Sequence, residues 1–169
     1  TIISIRGVGD ETNQNAIATP SVSYHLDGIY IASPYSLQTE FMDLERIEVL
    51  RGPQGTLFGQ NSTGGAINVI TSAPSLDEST SYADVTFGDY SLLKTRASFN
   101  RPINESVAVR ASFITNKRDG FTDNLSTGQD LDDADSISAR VRFLYQPSDT
   151  FRANFTAQLF DENRNGSAQ

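Results

Sequence analysis

Apolar and polar residues alternate along much of this chain, and the alternating segments lengthen partway along it. Up to residue 75 the apolar runs are short: Ile2–Arg6, Val22–Ile31, Ile47–Leu50 and Ala66–Ile70. Runs of this kind predict half-buried or buried strands. Asp27-Gly28 inside the second run is a strong turn pair, so Val22–Ile31 reads as a strand or as a hairpin turning there. Polar loops at Asp10–Thr19 and Ala32–Thr39 separate the runs, and Phe41–Glu45 has the look of one helical turn leading into Ile47–Leu50.

From Leu76 the pattern changes. Ser106–Arg118 sets Val107, Val109, Ala111 and Phe113 on one parity. Ser136–Gln146 does the same with Ile137, Ala139, Val141, Phe143 and Tyr145, and Thr150–Phe160 with Phe151, Ala153, Phe155, Ala157 and Leu159. The opposite parity is mostly Arg, Ser, Asn, Thr and Gln. Ser81–Gly88 and Leu92–Arg101 fit more loosely. Strands of about ten residues, each with one apolar face, carry the period-two signature of a transmembrane β-barrel.

The connections give an orientation. Asp89–Ser91, Pro102–Glu105 and Pro147–Asp149 are short, whereas Asp119–Asp135 is long. Outer-membrane barrels have short periplasmic turns and longer extracellular loops, so the long loop faces outward and the two Pro-bearing turns inward. An odd number of strands with two open edges predicts further strands outside the chain, because unpaired backbone groups cost several kcal/mol each in lipid. The opening on TIISIRG, in mid-strand and without a signal segment, points the same way.

Between the runs at Ile47 and Ala66 lie Gly52-Pro53, Gly55, Gly59 and Gly64-Gly65, which fold the chain back tightly. This is not a phosphate loop: no Lys-Ser/Thr follows the glycines and no GxGxxG spacing occurs. Glycines here meet a need for positive φ and close backbone approach.

Composition narrows the function. The formal charge of -8, from 13 basic and 21 acidic residues, argues against a nucleic-acid partner, which needs a basic footprint. The lack of cysteine excludes disulfides, thiolate metal sites and a cysteine nucleophile. His25 is the sole histidine, two residues before Asp27 and on the same strand face; a metal site needs three or four ligands, so none is expected. A Ser–His–Asp arrangement would rest on His25 alone, and no catalytic residues are assigned: the chain reads as a non-enzyme. Asp130, Asp132, Asp133 and Asp135 lack calcium-loop spacing and read as a solvated outer loop. No apolar run approaches the roughly 18–20 residues of a membrane helix. Mean hydropathy of -0.36 looks soluble, but barrel strands average out polar as well.

Four motifs occur in order: Ile5-Arg6-Gly7, Leu50-Arg51-Gly52-Pro53, Gly55-Thr56-Leu57-Phe58-Gly59, and Thr63-Gly64-Gly65-Ala66-Ile67-Asn68-Val69-Ile70-Thr71. Together they resemble the plug domain of TonB-dependent outer-membrane receptors. Asn116–Phe121, the Asp-rich loop and Ser138-Ala139-Arg140 are similar to that family's early barrel. The resemblance implies an α+β plug, a small mixed sheet with short helices, at residues 1–75. At residues 76–169 it implies antiparallel transmembrane β-barrel strands, an incomplete part of a plugged barrel of roughly 22 strands. The implied location is the bacterial cell outer membrane.

The implied function is active uptake of a scarce, large solute, foremost an iron–siderophore complex, with cobalamin, haem and oligosaccharides as alternatives. The implied partners are periplasmic TonB, the solute and outer-membrane lipid; no cofactor is implied. Arg6, Gly7, Arg51, Gly52 and Pro53 would be plug–barrel contacts. Each buried guanidinium would need a carboxylate partner, expected in barrel strands outside this chain. Asn13, Gln14, Asn15, Tyr35 and Gln38 would lie on ligand-facing plug loops. A passive outer-membrane channel is one rival, though a simple pore lacks the glycine-rich segment. A soluble secreted carbohydrate-binding β-protein, with its apolar faces packed as a sandwich core, is the other.

Overall fold

The computed structural model describes residues 4–5, 8–9, 21–32, 42–124 and 127–165. The chain divides into two compact units, Thr1–Ser72 and Ala73–Gln169.

In the first unit, β1 (Ser4–Ile5) and β2 (Val8–Gly9) form a short antiparallel ladder. A four-stranded mixed sheet is built from β3 (Val22–Leu26), β4 (Ile29–Tyr30), β5 (Leu44–Arg51) and β6 (Gly65–Thr71), in the order β4-β3-β6-β5. β3 and β6 run parallel; the other pairs are antiparallel. Asp27 (φ 50) and Gly28 (φ 80) turn β3 into β4, the left-handed pair of a two-residue hairpin. β6, in the middle, is an almost continuous apolar run with Ala66 and Val69 fully buried, as a strand covered on both faces must be. Among the described residues one helix occurs, α1 (Gly55–Phe58), a single turn whose Leu57 and Phe58 N–H groups return to the Gln54 carbonyl.

Gly65 shows why the segment carries so many glycines. Its φ is +151°, and a Cβ there would sit 2.4 Å from the Leu50 carbonyl oxygen and 2.8 Å from Ile5 Cδ1. No side chain fits without moving backbone.

The helical turn expected at Phe41–Glu45 does not form in its described part. Asp43 is in the left-handed region (φ 54), its carbonyl accepts from Ser72 N at 2.9 Å, and the strand has begun by Leu44, which pairs with Thr71. The available ladder on β6 overrides local preference, at the cost of a bulge between Leu44 and Arg46. Phe41 lies outside the described residues.

The second unit is an antiparallel meander. Its strands are β7 (Thr80–Gly88), β8 (Leu92–Asn104), β9 (Val107–Arg118), β12 (Ala134–Ser148) and β13 (Phe151–Glu162), in sheet order β13-β12-β9-β8-β7. Within the long connection, β10 (Thr122–Asp123) and β11 (Asp130–Leu131) make a separate small ladder. The two Pro-bearing turns differ from expectation. Pro102 lies within β8 and Pro147 within β12, so the turns fall one or two residues later, at Glu105-Ser106 and Asp149-Thr150. Each proline sits at a register shift, between Pro102 and Asn104 and between Tyr145 and Ser148. A bulge is where a residue without an N–H can be carried inside a ladder.

Register puts Ala97, Phe113, Ala139 and Leu159 in one row, Phe99, Ala111, Val141 and Ala157 in the next, and Val109, Phe143 and Phe155 beyond them. These rows form one apolar face. Its large side chains stand exposed, with Phe99 at 52%, while Arg140 on the opposite face is at 6%. Asn100, Ser112, Ser138 and Leu144 are likewise buried on that opposite face. The sheet is inside out relative to a protein that faces water on its polar side. Ile137 to Tyr145 covers about 27 Å along the strand, or roughly 20 Å when tilted by ~40°, near the height of a barrel's apolar band.

Candidate functional site

Of the residues assigned to plug–barrel contact, Arg51, Gly52 and Pro53 are placed by the structure. Arg51 closes β5 opposite Gly65, with its side chain exposed. Gly52 turns away at φ +84 and donates to the Gly64 carbonyl at 3.2 Å; Pro53 follows, and Gln54 N reaches the Ser62 carbonyl at 2.9 Å. The two motifs that flank the glycine-rich loop therefore meet at its mouth. Ile5 approaches the same Gly65, so the Ile5 and Arg51 segments converge on one residue. Arg6 and Gly7 lie outside the described residues, as do Asn13, Gln14, Asn15, Tyr35 and Gln38.

At the other end of β6 from this mouth is a lock that no sequence motif announces. Asp27 lies in the turn rather than on the His25 face of the strand. Its carboxylate accepts from Thr71 N (2.8 Å) and Thr71 Oγ1 (2.7 Å), while its own N–H donates to the Val69 carbonyl (2.9 Å). The β3–β4 hairpin is thereby fastened across the end of β6. His25 is buried on β3, within 3.2 Å of Ser23 Oγ, with its ring against Tyr30 (5.6 Å) and edge-on to Phe58 of α1 (4.7 Å). Asn61 Nδ2 donates to the Tyr30 hydroxyl at 2.7 Å. These contacts hold the loop around α1 to the hairpin. Burial pushes the His25 imidazole below its ordinary value, partly offset by a backbone contact at Gly28. On β5, the Arg46 guanidinium and then the Asn68 amide hold Glu48 below the usual carboxylate range. Asp27 and Thr71 are 44 residues apart, so nothing in the order of the letters joins them.

In the second unit the polar parity is basic. Lys94, Arg96, Arg110, Arg118, Arg140 and Arg142 share this face, against Asp84 and Glu162. Arg96 makes a two-point pair with Asp84 (2.7 and 3.0 Å), and Arg140 Nε donates to Gln158 at 3.0 Å. Arg110 and Arg142 are direct cross-strand neighbours. In a chain of net charge -8 this is a strong local inversion of sign. The wall can stabilise anionic groups beside it.

The end carrying the long loop is stitched together. Asp119 N donates to the Tyr90 carbonyl (2.8 Å), Phe121 N to the Leu131 carbonyl (3.1 Å), and Asn165 N to Asp133 (2.7 Å). Thr122 Oγ1 donates to Asp132 Oδ2 at 2.7 Å, and Arg118 Nη2 to the Asp132 carbonyl at 2.7 Å. The acidic run is thus partly spent on ordering its own loop.

Comparison with known proteins agrees with this geometry. Residues 1–66 match the model of the TonB-dependent Receptor Plug Domain. The chain is 33% identical over 131 residues to the pesticin receptor of Yersinia enterocolitica, covering 76% of this chain and 18% of that protein. It is 30% identical over 158 residues to the rhizobactin receptor of Rhizobium meliloti, covering 82% and 21%. The crystal structure of the ferric yersiniabactin uptake receptor from Yersinia pestis superimposes with a TM-score of 0.72 at 26% identity, over 83% of this chain and 22% of that one. The chain spans about a fifth of the length of the curated relatives it matches.

Proposed function

Because the chain belongs to the TonB-dependent receptor family, we propose that the full-length protein imports an iron–siderophore complex across the bacterial outer membrane, driven by TonB. The observation that carries this reading is the pairing of the two units. A tight mixed sheet of plug type is followed by a meander that exposes its apolar face and buries its basic, polar one. A wall facing lipid on one side and a polar lumen on the other has that distribution. A soluble sandwich would cover the apolar rows with a second sheet, and a passive pore has no use for the plug-type fold. The relatives' names support this choice of cargo class, one being a rhizobactin receptor and another a ferric yersiniabactin uptake receptor. The basic lumen-side parity suits a chelate with net negative charge.

The same proposal assigns Arg6, Gly7, Arg51, Gly52 and Pro53 to holding the plug against the wall, and Asn13, Gln14, Asn15, Tyr35 and Gln38 to the face that meets solute. Deleting the gene should abolish uptake of one radiolabelled ferric siderophore in cells that express TonB, and restoring it in cells without TonB should not rescue uptake. Unchanged uptake of every siderophore in the deletion strain, or rescue without TonB, would overturn the reading.

A further inference from the structure

Charged residues on the apolar face of the meander sit at its two ends and not in the rows between. At the long-loop end Lys117 faces Asp135 directly across the β9–β12 ladder, and Asp161 on β13 stands opposite Ile137. The next two rows inward, through Ala97, Phe113, Ala139 and Leu159 and through Phe99, Ala111, Val141 and Ala157, carry no charge. Arg101 stands in the row after them, beside Val109, Phe143 and Phe155. From Leu93, which pairs with Lys117, to Arg101 is about 27 Å along β8, or roughly 20 Å when tilted by ~40°. Arg101 therefore marks the short-turn edge of the apolar band, where a charge on the lipid side costs least.

Arg101 is exposed, and its register neighbours on this face are apolar. Val109 is across the ladder, Val107 and Ala111 are on the diagonals, and Phe99 and Ile103 flank it along β8. Glu105, the nearest carboxylate along the chain, lies in the turn and not on the face. On the other side the ladder is open, because β7 begins at Thr80, opposite Asn100. The pairing that satisfies Lys117 with Asp135 has no counterpart in this row. A guanidinium so placed has an anion to draw from the membrane itself.

We infer that Arg101 docks the phosphate of an anionic phospholipid, a headgroup of the phosphatidylglycerol type, at the periplasmic edge of the barrel wall. The aliphatic stem of an arginine covers apolar surface while its head reaches the interface, and the planar guanidinium offers two parallel N–H donors to phosphate oxygens. A zwitterionic ethanolamine headgroup would bring a second cation to the same point, so the anionic lipid is preferred. This inference rests on the lipid-facing wall and is independent of the cargo.

The test uses the full-length protein carrying photoreactive p-benzoylphenylalanine at position 109, beside Arg101, or at position 113 in the uncharged band. Each is reconstituted in bilayers of equal phosphatidylglycerol and phosphatidylethanolamine with matched acyl chains, one or the other radiolabelled. Position 109 should label phosphatidylglycerol about fivefold over phosphatidylethanolamine, the effect of one basic residue at an anionic surface, and position 113 should label both equally. Arg101→Gln removes a charge from the lipid face and should assemble like the parent, judged by heat-modifiable gel mobility, yet bring the ratio at 109 to one. Arg101→Lys should keep a smaller preference. A parent without preference at 109, as when a carboxylate of a strand outside this chain takes the guanidinium, overturns the inference; so does a preference that survives Arg101→Gln. Both leave the lipid-facing wall standing. If neither lipid is labelled from 109 or 113, the wall falls and the docking site with it.

Discussion

The two units of this chain use the same kind of strand against opposite surroundings. In the first, β6 is apolar and buried, flanked by β3 and β5, and polar groups are gathered into specific bonds such as Asp27 to Thr71. In the second, Phe99, Val141 and Phe155 stand exposed while Arg140, Ser112 and Asn100 are buried. The difference teaches that alternation alone gives a strand and its two faces, and that the medium on each face decides which one is presented outward. A plug is stabilised like any small globular sheet, through burial and satisfied polar groups. A barrel wall is stabilised by transferring its apolar rows to lipid.

The largest effect should come from contradicting that medium. Val141→Arg, in the middle of the apolar face, is expected to cost about 2–4 kcal/mol in the bilayer and to block assembly, whereas Thr156→Lys on the polar parity should assemble normally. Heat-modifiable mobility of the outer-membrane fraction reads both. Equal tolerance of the two would break the comparison.

Next in size is the plug's backbone. Gly65→Ala forces a Cβ against the Leu50 carbonyl and should destabilise the first unit by about 3 kcal/mol, seen as faster amide exchange in β3 and β6 of the full-length protein. Exchange in β9 and β12 should hold. Loss of protection in both units alike would mean that they do not respond separately.

The smallest effect is pH dependence confined to the plug. His25 is held below its ordinary value of 6.5 by burial, so it stays neutral in the fold where the unfolded chain would protonate. Its contribution is therefore fully present above about pH 6.5 and is lost as pH falls below that value toward the lowered one. Tyr30, from β4, is the titratable group against its ring, and Glu48 lies one strand further, beyond Asn68. The urea midpoint for plug proteolysis should drop from pH 8 to pH 5.5 in the parent and drop less in His25→Gln; parallel drops would remove His25 from the account.

Much of the fold was legible from pattern. The alternating rows of β9, β12 and β13 were readable because period two maps directly onto a sheet's two faces. Asp27-Gly28 announced its hairpin through the chemistry of the turn. What failed were places where a partner strand outweighed local preference: Leu44-Glu45, drawn into the ladder on β6, and Pro102 and Pro147, carried within strands by bulges. The site was less legible. The cluster of His25, Tyr30, Phe58 and Asn61 joins segments far apart in sequence. Nothing in the letters Asp89-Tyr90-Ser91 marks a tyrosine at φ 59°, since the turn preference there points to other residues.

The central claim is that the apolar parity of the second unit faces lipid. Single cysteines at positions 137 to 145 of the full-length protein, spin-labelled and reconstituted in bilayers with any native cysteine outside these 169 residues first replaced, test it directly; the 169 residues themselves contain none. The account predicts a period-two pattern, with labels at 137, 139, 141, 143 and 145 open to lipid-dissolved oxygen and the intervening labels shielded from it. Equal oxygen access on both parities, or an apolar parity closed to oxygen, would contradict it.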